Sequence, residues 1–264
     1  MSGDDEVLQG GVANAGAVVR SGGDVLRPGN QHSASLLRFL SELRRAGFEG
    51  APVPVGIEPD GRERLRYVPG DVVTPPYPDW AQTDGALEST AALLRGLHDA
   101  SQGMDPRAAA WSSEMADPEG GPVICHNDVC LENVVYRDGR AVALLDFDFA
   151  APGRRSYDVA ALARMCVPVD DDVNAARLGW QPADRPRRLR LACDAYGLGP
   201  AERQEVLAAL DQSIARGGEW ARRRAEAGEP GFVRMWAEMG GQERYDRRRA
   251  WWADTRTRFA RALG

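Results

Sequence analysis

The sequence predicts an α+β chain of two lobes, a small β-rich lobe over residues 1–70 and a larger, mainly helical lobe over residues 71–264. Three observations carry this. Residues 6–68 alternate short apolar runs with turns marked by glycine and proline. From Leu87 onward the apolar residues recur at helical spacing. A chain of 264 residues also exceeds one domain of roughly 150, which suits two lobes around a cleft.

The elements follow in order. Glu6–Gln9 reads as a strand leading into Gly10-Gly11-x-x-Asn14-x-Gly16, and Ala17–Arg20 and Val25–Arg27 flank a turn at Gly22-Gly23-Asp24. Leu36, Leu37, Leu40 and Leu43 lie on one helical face, and Gly47 ends that helix. Val53–Ile57 and Arg64–Val68 form a hairpin around Pro59-Asp60-Gly61. Pro69-Gly70 then reads as a hinge, with the cleft near Tyr67–Gly70, followed by the irregular run Thr74–Trp80. In the second lobe Leu87, Ala91, Leu94 and His98 share a helical face, as do Val159, Leu162, Ala163 and Cys166. Leu189, Ala192, Cys193 and Tyr196 make a further helix closed by Gly197, and Pro200 opens the next. One stretch breaks the helical pattern. Val134–Tyr136 and Ala141–Leu145 are two strands around Arg137-Asp138-Gly139, with Asp138 a turn residue.

Composition excludes several chemistries. All 33 basic residues are arginine, so a lysine Schiff base and a phosphate-binding lysine are both ruled out. The net charge of −6 argues against nucleic acid as a partner. Apolar runs are only a few residues long, so no membrane span is expected. The acidic start Met1-Ser-Gly-Asp-Asp-Glu has no basic region or apolar stretch of a secretory signal, which points to the cytoplasm. Cys125, Cys130, Cys166 and Cys193 form no CxxC pair and read as reduced thiols.

The chemistry concentrates in Cys125-His126-Asn127-Asp128-Val129-Cys130-Leu131-Glu132-Asn133, followed after the hairpin by Leu145-Asp146-Phe147-Asp148-Phe149. Phosphoryl transfer accounts for that spacing. An aspartate orients the attacking hydroxyl and takes its proton, an asparagine five residues on reaches a metal, and a carboxylate on the returning strand holds the metal against the phosphates. Alone, His-x-Asp is a weak signal. The strands around it and Asp158 downstream make the combination specific. Cys125, His126 and Cys130 lack a fourth ligand for zinc.

On these residues the chain resembles the aminoglycoside phosphotransferase and choline kinase superfamily, small-molecule kinases with a protein-kinase-like fold. The resemblance is strongest over residues 124–163. It implies that Asp128 is the catalytic base, that His126 buttresses its loop, and that Asn133 and Asp146 bind Mg²⁺. Asp158 matches the family's later aspartate, which supports the catalytic loop. Asp148 is either a second metal contact or a polar loop residue. Protein kinases fit less well, because Cys130 stands where their Ser/Thr-specific members carry lysine and Asp148 replaces the glycine of Asp-Phe-Gly.

In the first lobe the resemblance places Gly10, Gly11, Asn14 and Gly16 over the nucleotide phosphates, Arg27 at the position of the phosphate-binding lysine, and Tyr67 and Val68 at the cleft. The family's helix glutamate has no clear counterpart, since Glu42 lies late in its helix and His32 and Ser33 fall nearer the expected start. The implied donor is ATP or GTP with Mg²⁺. The acceptor is a hydroxyl of a small molecule, and the protein is expected as a monomer or homodimer. His98 reads as a packing residue. The tail carries Trp220, Trp236, Tyr245, Trp251 and Trp252 among arginines and glutamates. It is either amphipathic packing or a wall of the acceptor site, where Glu219, Glu226, Glu229, Glu238 and Glu243 would meet a cationic acceptor. The competing reading is a catalytically silent nucleotide- or ligand-binding pseudokinase, for which the absent lysine speaks and the joint presence of Asp128, Asn133 and Asp146 does not.

Overall fold

The computed structural model describes residues 5–8, 17–216 and 218–264. Gly10, Gly11, Asn14 and Gly16 lie outside the described residues. The first lobe is one antiparallel sheet of β1 (Asp5–Val7), β2 (Val19–Ser21), β3 (Asp24–Arg27), β4 (Pro54–Ile57) and β5 (Glu63–Arg66), in the spatial order β1-β2-β3-β5-β4. Helix α1 (Ser33–Arg45) lies between β3 and β4 in sequence and buries Leu36, Leu37, Phe39, Leu40 and Leu43. Gly47, at φ +86, turns the chain after it, a conformation that costs glycine little. Register decides one functional contact, because β3 pairs with β5 so that Arg27 stands opposite Glu63.

Gly70 opens the passage between lobes. Its φ is +148, and a Cβ there would sit 2.5 Å from the Tyr136 carbonyl oxygen. Only glycine allows the approach by which Asp71 and Tyr136 exchange two backbone hydrogen bonds of 2.8 Å. The second lobe is built on α2 (Asp84–Ser101), which presents Leu87, Ala91, Leu94, Leu97 and His98 to the core. Two small antiparallel ribbons pack near it. One pairs β6 (Val123–Cys125) with β9 (Ala151–Gly153), and the other pairs β7 (Val134–Arg137) with β8 (Arg140–Leu144). Asp138 (φ +50) and Gly139 (φ +71) make the tight turn of the second ribbon, which suits the twist of its strands.

The rest is helical: α3 (Arg155–Cys166), α4 (Asp172–Arg177), α5 (Arg185–Tyr196), α6 (Pro200–Arg216), α7 (Glu219–Glu226), α8 (Pro230–Glu238) and α9 (Gly241–Leu263). Leu162, Leu189, Leu210, Phe259 and Leu263 from four of these helices are fully buried in one core. Gly197, at φ +91, caps α5. Among the described residues no helix is long and apolar enough to cross a membrane. The lobes touch through α1, whose Phe39 meets Phe147 edge-on at 6.3 Å, and through the Leu144 N–H, which donates to the Gly50 carbonyl at 2.9 Å.

Candidate active site

The loop from Cys125 to Asn133 leaves β6 and is pinned at its start by Asp158. That carboxylate accepts from the backbone N–H of His126 at 2.6 Å and of Asn127 at 2.8 Å, and from His98 Nε2 at 3.0 Å. Burial by itself would raise the Asp158 carboxyl, yet His98 and the N–H of His126 hold it below the usual range. His98 in turn shares a 2.6 Å bond with the Tyr196 hydroxyl, which ties the loop to α5. Asn127 takes the left-handed region at φ +67, where asparagine is among the few side chains tolerated. Its Nδ2 donates to the Phe149 carbonyl at 2.8 Å and joins the loop to the segment after Asp146.

His126 has no exposed surface. Its Nε2 bonds the Leu145 carbonyl at 2.8 Å, so Nε2 carries the hydrogen, and Nδ1 accepts from the Asp128 N–H at 3.3 Å. Burial lowers its pKa, so the ring is neutral and serves to position both halves of the loop. Asp128 then projects from a braced backbone. Asn133 Nδ2 donates to its carbonyl at 3.0 Å and to its Oδ2 at 2.9 Å. Burial, and secondly the charge of Asp146, push the Asp128 carboxyl up to about 7, against the opposing charge of Arg164.

Asp146 sits at φ +59 at the end of the returning strand. The buried Arg27 reaches it from the first lobe, with Nη1 2.9 Å from Asp146 Oδ1, Nη2 2.6 Å from Asp148 Oδ1 and Nε 2.7 Å from Glu63 Oε2. Burial opposes the charge on Arg27, and Asp148, Asp146 and Glu63 more than offset it, so its pKa is raised. Burial and Asp146 move the Asp148 carboxyl up to about 6. Glu63 fills the place for which the sequence offered no clear helix residue. It is fully buried and comes from β5, and alternation along the sheet puts it on the same face as Arg27. Glu42 makes no contact with Arg27. The signal that could have found Glu63 is cross-strand register, which one sequence does not supply.

These oxygens fit a hard divalent cation. One guanidinium faces three carboxylates, which leaves an excess of two negative charges. Asn133 spends its Nδ2 on Asp128, so its Oδ1 is the atom left for a metal. Tyr67 and Val68 are half-buried where β5 leads into the connection between lobes, and the Arg20 guanidinium lies 4.1 Å from the Tyr67 ring centroid. His98, Cys125 and Asp158 also bring possible ligand atoms within 4.8 Å of one another. His98 and Asp158 bond each other there, and the Cys125 thiol donates to the Arg154 carbonyl at 3.4 Å, so the cluster is spent on structure.

A family model described as the phosphotransferase enzyme family matches residues 101–205, which contain the loop, both carboxylates and Asp158. A trifolitoxin immunity protein of Rhizobium leguminosarum bv. trifolii is 33% identical over 192 residues, spanning 70% of this chain and 72% of that protein. The chain belongs to the phosphotransferase enzyme family. Its fold is that of the small-molecule kinases. A choline/ethanolamine kinase family protein from Mesorhizobium loti superposes with a TM-score of 0.66 at 20% identity, covering 99% of this chain and 92% of that one. An amicoumacin kinase in complex with AMP-PNP, Ca²⁺ and amicoumacin superposes at 0.62 and 13% identity, covering 90% and 87%.

The tail reaches the segment after Asp146 through Trp220. The Trp220 ring meets Phe149 edge-on at 5.4 Å and Phe232 at 4.9 Å, and Trp236 stacks on Tyr245 at 5.2 Å. Trp252 is buried against Phe259. Of the glutamates that could meet a cation, Glu226 pairs with Arg222, Glu229 with Arg224 and Glu243 with Arg247.

Proposed function

We propose that this phosphotransferase moves the γ-phosphoryl of ATP or GTP to a hydroxyl of a small molecule, with Asp128 as the base. The observation that carries this reading is Asp128 itself: a carboxylate pushed up to about 7 by burial and by Asp146, braced through Asn133, and free of the Arg27 ion pairs that engage Asp146 and Asp148. A base with that pKa can accept a proton near neutral pH. The acceptor oxygen forms a bond to the γ-phosphorus as the bond to the β–γ bridging oxygen breaks, and the hydroxyl proton passes to Asp128. Asn133, Asp146 and Asp148 are the residues to hold Mg²⁺, which supplies charge neutralisation of the phosphates. Arg27, set between Glu63 and the two aspartates, is the cation at the nucleotide end of the cleft and takes the part of the absent lysine.

A silent binder would have no use for a braced base with a raised pKa. Thermal shift with ATP, GTP and Mg²⁺, followed by an acceptor panel read by nucleoside diphosphate release, tests the proposal. The panel covers metabolites with free hydroxyls, and the likeness to an immunity protein extends it to toxins. Binding of Mg²⁺-nucleotide without turnover on any acceptor, and no change on Asp128→Asn, would favour the pseudokinase.

A further inference from the structure

Among the described residues, every arginine that is buried or half-buried lies within ion-pairing distance of a carboxylate, with two exceptions, Arg164 and Arg248. Arg248, on α9, is only 5% exposed, and its Nε and Nη2 are buried without a hydrogen-bond partner. Arg164, on the last turn of α3, likewise buries its Nε unpartnered. The two belong to one region. Two residues beyond Arg164, the Cys166 thiol donates to the Val129 carbonyl at 3.4 Å, so this turn lies against the residue that follows Asp128. Four residues further, Asp170 accepts from Arg244 at 3.1 Å, one helical turn before Arg248. The charge of Arg164 acts both on Asp128 and on Arg248; burial and then Arg164 bring the Arg248 pKa down to about 10 against the opposing charge of Asp170, and the Arg248 guanidinium lies 5.0 Å from the Tyr245 ring centroid.

The nearby acids form their close ion pairs with other arginines. Asp170 is taken by Arg244, Asp171 faces Arg247, and Asp172 is taken by Arg185. Guanidinium nitrogens buried without a hydrogen-bond partner are costly, and a chain with 39 acidic residues had ample means to supply a close one. We propose that the counter-charge arrives with the substrate: the acceptor carries an oxyanion, a carboxylate or a phosphate, that pairs with Arg248 and Arg164 while its hydroxyl meets Asp128. This rests on the phosphotransferase reading above. It reverses the cationic acceptor that the tail's glutamates suggested, since three of those are already paired with arginine.

The test uses the full chain with the nucleotide site filled by Mg²⁺ and AMP-PNP, and sulfate as the anion probe in a thermal-shift titration. Wild type should show a saturable stabilisation by sulfate that Arg248→Met and Arg164→Met lose. Arg248→Met should hold or raise Tm without sulfate, because it removes guanidinium nitrogens buried without a hydrogen-bond partner; a structural arginine would lower it. If Arg248→Met does not fold, the half-buried Arg164→Met carries the comparison. A second arm compares hydroxy acids and sugar phosphates with the matching amides and dephosphorylated sugars, and with choline. The anionic member should have kcat/KM at least about tenfold higher, and either variant should remove that preference through KM, on the order of ten- to a hundredfold. Which anionic series prevails separates carboxylate from phosphate. Equal sulfate response in wild type and variants, or a preference for choline over the acids, overturns the inference. Absence of any shift with Mg²⁺-AMP-PNP counts instead against the phosphotransferase reading, and sulfate titration of the free protein still reports on the anion site.

Discussion

In the proposed mechanism Asp128 is the side chain that carries most of the chemistry. Asp128→Asn is nearly isosteric and cannot take a proton, so kcat should fall at least about 10²-fold, at the low end of general-base effects because the proton moves late. Nucleotide affinity should stay within about a few-fold, since in the proposed mechanism Asp128 meets the acceptor hydroxyl and not the nucleotide. Single-turnover transfer and direct nucleotide binding check both, and transfer at the wild-type rate would remove Asp128 from the mechanism. The same substitution has a stability signature. The folded carboxyl sits at about 7 instead of 3.8, so its contribution is fully present below about pH 4 and is lost as pH rises through 7. Asp128→Asn should therefore stabilise the metal-free protein at pH 8 by up to about 4 kcal/mol, and much less at pH 4.5. Urea unfolding at the two values measures this. Arg27 makes a second case. Arg27→Ala should weaken nucleotide binding by roughly ten- to a hundredfold, the worth of a charge-assisted contact. Unchanged affinity in isothermal titration would exclude Arg27 from the nucleotide site. Asp128, Asn133 and Asp146 were legible from spacing because they occupy one local loop and hairpin. Glu63 was not, since it meets Arg27 only through strand pairing across 36 residues.

At the scale of elements, the loop that carries Asp128 is held from behind by α2, α3 and α5. His98, Asp158 and Tyr196 form one buried chain of hydrogen bonds whose members come one from each helix. Helical periodicity already placed His98 on the core face, yet it could not say that the core face touches an aspartate 60 residues later. Removing one partner leaves a buried charge unsatisfied, which typically costs about 3–5 kcal/mol. Asp158→Asn keeps the shape and a carbonyl acceptor but discards the charge that His126, Asn127 and His98 converge on. It should lower stability by at least about 1 kcal/mol and lower kcat more than it raises KM for nucleotide, because the loop geometry is what it holds. A Tm equal to wild type would show that α3 does not brace the loop. The ribbon of β6 and β9 obeys a different constraint. A Cβ on Gly121 would lie 2.0 Å from the Gly153 carbonyl oxygen, so close approach, which periodicity cannot report, selects the residue there.

For the whole molecule, the lobes are joined across the cleft by the ion pairs of Arg27 with Asp146 and Asp148 and by the packing of Phe39 on Phe147. The joint carries an excess of negative charge, so Mg²⁺-nucleotide should stabilise it more than either component alone. At a ligand concentration of 100 Kd the gain is about 2.7 kcal/mol, several degrees of Tm. Asp146→Asn should abolish the part of that shift that depends on Mg²⁺, because a hard cation needs the carboxylate's charge. A full Mg²⁺-dependent shift in that variant, followed by differential scanning fluorimetry, would move the metal elsewhere.

The two-lobed division, the helices of the second lobe and the His126-x-Asp128 loop with its hairpin follow from the sequence by itself, because periodicity, turn residues and a nine-residue motif are all local properties. The tertiary structure decided what is non-local: that Glu63 on β5 answers Arg27, that His98 and Tyr196 stand behind Asp158, and that Arg164 and Arg248 bury guanidinium nitrogens without a hydrogen-bond partner. Charge pairing is settled by distances of a few ångströms between residues tens to hundreds of positions apart, and hydrophobic patterning along a chain carries no record of which charged side chains those distances join.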